Sequence, residues 1–331
     1  MVSDKKKEKP TLQNIATATG YSRNTVSLAM RDSPRLPEAT KRLIQKTAEQ
    51  LGYKPNLTAR NLSTGKSGLI GVYASTLHDA VRTEIVNGLI TELRSARYSP
   101  ILALGHGHRG SWETSAWIEN LEQLNVEAMV IVREFITRIP ARMRETPKII
   151  LGCQPHEPLE CDYIALDRYE AAEIGIDYLT DRGHHNILVC ANKDSHFALG
   201  CEEEIQRKGA VCHSTDTLQL SDSAYLHKLL SYVTDNGKNF SALIFGDSPT
   251  AVEFITLLTE QGTRVPDDLA VISYDYFPYS RHLRIPLTTI VQPIESLVTE
   301  AVSLVQNRLE NPGSRYIHKT LKHRILPGES A

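Results

Sequence analysis

Arg23 and Asn24, with Ser27 and Leu28 one turn further on, fall on one side of a short helical stretch, SRNTVSLAM, running from Ser22 to Met30. Arginine and asparagine can make bidentate contacts with guanine and adenine edges in a DNA major groove. The chemistry on offer is therefore recognition rather than bond making. Val26, Ala29 and Met30 recur at i, i+3, i+4 on the opposite side, so that face turns inward and the polar face outward. Ser22 stands where a helix N-cap belongs. Upstream, Ala16 and Gly20 precede Val26 by ten and six residues. This is a small residue where two helices touch, a permissive residue in the turn and an aliphatic knob, the requirements of a helix-turn-helix. Residues 22–30 read as a DNA recognition helix.

The charge distribution agrees. The 331-residue chain has a net charge of −2, but its first 66 residues hold 13 Lys/Arg against five Asp/Glu, a balance of +8, leaving −10 for the rest. A basic head on an acidic body is the footprint of a DNA-binding module joined to a domain with another task. At 41% hydrophobic and 23% charged residues the composition is that of a globular protein long enough for two or three units. The first ten residues, MVSDKKKEKP, lack the apolar core of a signal peptide and read as a flexible basic tail. No 18-residue apolar run appears, so no membrane span and a cytoplasmic location are expected. Cys153, Cys161, Cys190, Cys201 and Cys212 are odd in number and scattered, which suits reduced, mostly buried thiols.

The positioning elements follow in order. A helix is expected over Glu38–Leu51, with Thr40, Leu43, Ile44, Thr47, Ala48 and Leu51 at helical spacing and Gly52 as its stop. Residues 11–53 thus form the head and 54–67 a linker. From residue 68 onward, short apolar runs such as GLIGVYAS, AMVIV, KIILG, NILVCA, ALIFG and LAVISY alternate with amphipathic helices. That alternation predicts parallel sheets covered on both faces, in two interleaved α/β subdomains with seams near 160 and 290. In such pairs ligands bind at the carboxyl ends of the strands.

The chain resembles the lactose- and galactose-repressor family of bacterial transcription regulators. The resemblance is carried by IATATGYSRNTVS (15–27), LGYKPN (51–56), ARNL (59–62) and SGLIGV (67–72), and more weakly by RGHHNI (182–187), VPDDLAVISYD (265–275) and PLTTIVQP (286–293). It implies a periplasmic-binding-protein-like body behind the all-α head. It implies a homodimer on a roughly palindromic double-stranded operator, repressing transcription under the control of a sugar or sugar-derived effector in the cleft. Position by position, Arg23, Asn24 and Leu28 fall where the family reads bases, Leu28 replacing a more usual arginine. Thr11, Ser22, Thr25 and Arg35 match phosphate-contacting positions. Ala59 and Leu62 match the hinge that enters the minor groove, Leu62 as the wedge.

In the body the match is looser. Ala80-Val81-Arg82 stands where sugar-binding members have aromatic residues, Phe197 where they have an arginine, and Gly246, beside Asp247, where they often have an asparagine; Asp275 matches a ligand-contacting acid. Arg82 either faces the cleft, favouring an anionic ligand, or is an ordinary exposed helix arginine. The lost clamps leave an alternative open, a regulator controlled by a protein partner or constitutive. His106-Gly-His108 lacks a carboxylate or thiol partner for a metal, and Glu202-Glu203-Glu204 reads as a solvated helix face. No phosphate-binding glycine loop, G-x-S-x-G or nucleophile and base spacing occurs, so neither cofactor nor enzyme activity is expected.

Overall fold

In the first fifty residues the apolar spacing closes into three helices: α1 (Leu12–Thr19), α2 (Arg23–Met30) and α3 (Glu38–Gln50). The computed structural model describes residues 10–30, 32–53, 67–77, 80–105, 116–132, 145–152, 159–214, 225–235, 240–275 and 279–331. The basic tail, the hinge residues Ala59 and Leu62, His106, His108 and Cys153 lie outside these. Residues up to Ser67 and residues from Gly68 onward form two separate units.

The head is held by Ile15, Ala16, Val26, Ala29, Ile44 and Ala48. The turn between α1 and α2 needs a residue in the left-handed region. Gly20 supplies it at φ 75°, its N–H donating to the Ala16 carbonyl to end α1. One expectation for α3 is corrected. Leu43, read at the inward spacing, is 50% exposed, and Lys41 is buried instead. Three crossing helices of this length leave room for a narrow arc, and on α3 that arc runs through positions 41, 44 and 48. The Lys41 ammonium is satisfied by Asp32 (2.8 Å) and Glu38 (2.9 Å). Hydrogen bonding to those carboxylates, Asp32 foremost, raises its pKa.

The body contains β1 (Leu69–Ala74), α4 (Ala80–Ser95), β2 (Ser99–Leu104), α5 (Ala116–Gln123), β3 (Ala128–Val132), β4 (Lys148–Leu151) and β5 (Asp162–Leu166). After these come α6 (Arg168–Thr180), β6 (Asn186–Cys190), α7 (His196–Arg207), β7 (Val211–Ser214), α8 (Tyr225–Asp235), β8 (Ala242–Phe245), α9 (Ser248–Glu260), β9 (Ala270–Tyr274) and β10 (Thr288–Val291). The chain closes with α10 (Ile294–Glu310), β11 (His318–Leu321) and β12 (Arg324–Leu326). They build two six-stranded sheets, ordered β11-β5-β4-β3-β1-β2 and β12-β10-β9-β8-β6-β7, parallel except where β12 pairs with β10.

Apolar clusters lie on both faces of each sheet, as near-continuous apolar strands require. The mixed α/β fold with two parallel-sheet subdomains is the one read from the sequence. The chain passes between the sheets after β5, after β10 and again between β11 and β12. The third passage was not foreseen. Glu204 departs from the solvated face assigned to it, being buried beside Arg207, whose Nε donates to it at 2.6 Å.

Candidate functional site

On the head, capping decides which hydroxyls are committed. Thr11 closes α1 with a reciprocal box: its hydroxyl and N–H donate to Asn14 Oδ1 at 2.7 and 2.8 Å, while its Oγ1 accepts from the Asn14 N–H at 3.4 Å. Ser22 caps α2 as read, Oγ accepting from the Thr25 N–H at 3.1 Å and lying 2.9 Å from the Thr25 hydroxyl. Val26 and Ala29 are buried on the inner face of α2. Arg23 and Asn24 are exposed on its first turn and Leu28 is partly exposed on the same side. Gln45 of α3 donates to the Ala29 carbonyl at 3.1 Å, fixing α2 from behind. Arg35 is exposed in the loop that precedes α3. Among the described residues, Lys41 and Arg42 are ion-paired with head carboxylates whereas Arg23 and Arg35 are not. Arg23 thus stands on the outer face of α2 and Arg35 in the loop, each exposed.

In the body, the carboxyl ends of the strands surround a cleft with two lobes that share Arg168 and Asp275. The larger, about 280 Å³, is lined by Asn192, Ser195, Phe197, Asp247 and Tyr274, among others. The smaller, about 30 Å³, is lined by Arg82, Gly152 and Gln292 with neighbouring apolar groups. Arg82, Phe197, Asp247 and Asp275, scattered over nearly two hundred residues of sequence, are brought to this one cleft. Arg82 is not an exposed helix arginine: it is 6% exposed, on the first turn of α4.

Asp275 is the most firmly placed. It occupies the left-handed region at φ 72°, which a side chain tolerates only when its surroundings enforce it. Its N–H donates to the Ile290 carbonyl (3.0 Å), its carbonyl accepts from the Ser248 hydroxyl, and its carboxylate accepts from Gln292 Nε2 (2.5 Å). Gln292 also reaches the Tyr274 hydroxyl (3.4 Å), which meets His323 Nε2 (3.2 Å), and His323 Nδ1 meets Glu170 (3.0 Å). This chain of contacts touches all three passages between the subdomains. Burial pushes the His323 imidazole below its usual range, with Glu170 pulling the other way.

Asp247 caps α9 through the Thr250 N–H at 2.9 Å. Gly246 has a steric reason for departing from the family's asparagine: a Cβ there would lie 2.8 Å from that of Ala191. Arg168 was missed in the sequence, although its place, just after strand β5 and the N-cap Asp167, is where cleft residues gather. Among the described residues no group of three metal-ligating side chains occurs, and no helix is long and apolar enough to cross a membrane.

Comparison with known proteins gives this geometry its context. Residues 11–56 match bacterial regulatory proteins of the lacI family, and residues 176–331 match a periplasmic binding protein-like domain. The chain is 22% identical over 321 residues to the transcriptional repressor CytR of Escherichia coli, covering 94% of this chain and 93% of that one. It is 25% identical over 309 residues to the transcriptional regulator GalR of Escherichia coli, covering 91% and 90%. The fold matches a Lac repressor dimer bound to operator and the anti-inducer ONPF with a TM-score of 0.81, at 20% identity and covering 98% and 99%. A CelR–cellobiose complex matches with a TM-score of 0.64, at 21% identity and covering 98% and 100%. The chain thus carries the helix-turn-helix domain of the lacI family of bacterial regulatory proteins joined to a periplasmic binding protein-like body, and the relatives it resembles are transcription regulators rather than enzymes.

Proposed function

We propose that the protein is a cytoplasmic repressor that binds a roughly palindromic operator as a homodimer and is controlled by a sugar or sugar-derived effector in the cleft of the body. The observation that carries the DNA half is the orientation of α2, whose Val26 and Ala29 are buried while Arg23 and Asn24 stand exposed. In this reading Arg23 and Asn24 contact base edges, and Leu28 offers apolar contact to a thymine methyl. Thr11, Ser22, Thr25 and Arg35 fix the register on phosphates. Ala59 and Leu62 enter the minor groove at the centre of the operator.

The dimer is supported by β2. It is the edge strand of its sheet and exposes Leu102 and Leu104, an apolar edge of the kind that a second copy covers. The Lac repressor structure of the same fold is a dimer on operator, and CelR is complexed with cellobiose. A polar, open cleft with a firmly held Asp275 favours ligand control over a body that has lost it. Ligand binding acts by changing the closure of the two subdomains. The test is selection of the full chain against a random duplex library at physiological salt. A palindromic consensus is expected, and the absence of any preferred duplex overturns the reading.

A further inference from the structure

We infer that effector binding is linked to a proton on His323, a positioning residue that lines neither lobe of the cleft and acts on Asp275 through Tyr274 and Gln292. The inference rests on the cleft being the effector site. His323 lies between β11 and β12, in the third passage, and its side chain is wholly buried. Glu170 follows the first passage and Gln292 follows β10, at the second. One run of hydrogen bonds therefore ties the cleft acid to all three segments about which two such subdomains turn.

The direction of each bond follows from the two ends. Glu170 and Asp275 are carboxylates, which accept only when ionised. Glu170 accepts from the His323 backbone N–H at 3.1 Å and from Nδ1 at 3.0 Å. Nε2 of the neutral ring is then a bare lone pair, to which the Tyr274 hydroxyl donates at 3.2 Å. The Tyr274 oxygen in turn accepts from Gln292 Nε2 at 3.4 Å, and the same nitrogen donates to Asp275 at 2.5 Å. A run with an acceptor at each end needs one double donor between them, and the Gln292 amide is that donor. Asp275 thus holds the amide with its NH2 toward Tyr274, which keeps the tyrosine proton on His323.

A second proton on the imidazole reverses part of the run. Nε2–H then donates to the Tyr274 oxygen, and the tyrosine proton passes to the Gln292 carbonyl once the amide turns over, which takes its N–H away from Asp275. A ligand hydroxyl donating to Asp275 frees the amide in the same way. Ligand and proton favour one arrangement, so by reciprocity such a ligand binds more tightly as pH falls through the His323 midpoint.

The charged groups facing the imidazole come from one end of α6: Glu170, Arg168 and the cap Asp167; β9 contributes the Tyr274 hydroxyl. Arg82 and Arg168 line the smaller lobe beside Asp275. Through space, removing the Asp275 charge lowers the proton affinity of a histidine. Through the hydrogen bonds it raises it, so the two routes differ in sign.

The experiment titrates His323 in the full chain, without DNA or ligand, by nitrogen NMR of protein carrying isotope-labelled histidine, over about pH 5–8. Its signal among the 12 histidines is the one lost in His323→Gln. At the upper pH, Nδ1 is expected to carry the proton and Nε2 to be bare. Asp275→Asn is expected to raise the midpoint by about 0.5 pH, a roughly threefold gain in proton affinity. In a Tyr274→Phe background, which cuts the run and leaves every charge in place, Asp275→Asn is expected to lower the midpoint or leave it unmoved. Gln292→Met removes the double donor without a change of charge and is expected to raise the midpoint; it carries the test should Asp275→Asn fail to fold.

A proton on Nε2 in place of Nδ1 overturns the proposal, as does an imidazole that stays neutral in every form throughout the range. So does the lack of a rise in Asp275→Asn or in Gln292→Met, or a rise with Asp275→Asn that survives Tyr274→Phe. The titration needs neither operator nor effector, so its failure is distinguishable from failure of the repressor reading, which operator selection decides.

Discussion

Replacing Arg308 with alanine should destabilise the body more than replacing its buried partner Asp162. Arg308 lies near the end of α10 with its Nε 2.8 Å from Asp162 Oδ2 and its Nη2 2.9 Å from Oδ1, and both side chains are almost wholly buried. What each retains when the other is lost differs. Without Asp162, the guanidinium keeps the carbonyls of Pro312, Ser314 and Arg315 at 3.2, 2.8 and 3.1 Å. Without Arg308, the carboxylate keeps, among the described residues, only the Ile317 N–H at 2.8 Å. Breaking a buried pair from one side costs about 3–5 kcal/mol, most of it from the charge left behind.

Arg308→Ala should therefore fall at the upper end of that range, and Asp162→Ala well below it, near the roughly 1–3 kcal/mol of a lost buried hydrogen-bond partner. Urea unfolding of the full chain, following the transition of the body, is the assay. With a urea slope at the upper end of about 1–3 kcal/mol/M, Arg308→Ala should lower the midpoint by about 1–2 M at unchanged slope. An Asp162→Ala effect equal to or larger than that of Arg308→Ala refutes the reasoning. So does an Arg308→Ala cost below about 1 kcal/mol, typical of exposed pairs.

On DNA, Arg23→Ala should cost about 1–3 kcal/mol and relax specificity at one base position, whereas Arg35→Ala should weaken binding to every sequence alike and lower the salt slope by about one; titrations on matched and mismatched operators separate the two. Ile15→Ala, in a head core of six buried residues, should cost about 2–5 kcal/mol and abolish operator binding while the urea transition of the body persists. For pH, the folded protein holds the His323 imidazole below its ordinary value of 6.5, so below that pH the unfolded chain takes up the proton first. Stability should thus fall as pH drops through 6.5 toward the folded value, and circular-dichroism melts of His323→Gln should show a flatter dependence than the parent.

The head was almost fully legible because each of its devices is local. Gly20, the Ser22 cap and the i, i+3, i+4 face of α2 announce themselves within a dozen residues. The error at Leu43 arose because Leu43 and Ile44 are both apolar on α3, and only packing against α1 and α2 decides which of them is inside. In the body, continuous apolar strands gave the sheets and their layering. Asp275 was found through its motif, but nothing in the sequence indicated that Arg82 is buried or that Arg168 shares its lobe. Those facts depend on how two separate sheets are set against one another. The third passage escaped notice because β11 and β12 are short and half polar, with side chains that are partly exposed. Strands of that kind give no apolar run to detect.

That third passage has a bearing on biosynthesis. β11 completes the first sheet and β12 the second, so the first sheet is not whole until residue 321, and the second until residue 326, has left the ribosome. The head, whose apolar core is drawn from residues 12–53, can form hundreds of residues earlier. A nascent chain thus has a folded head long before it has a finished body.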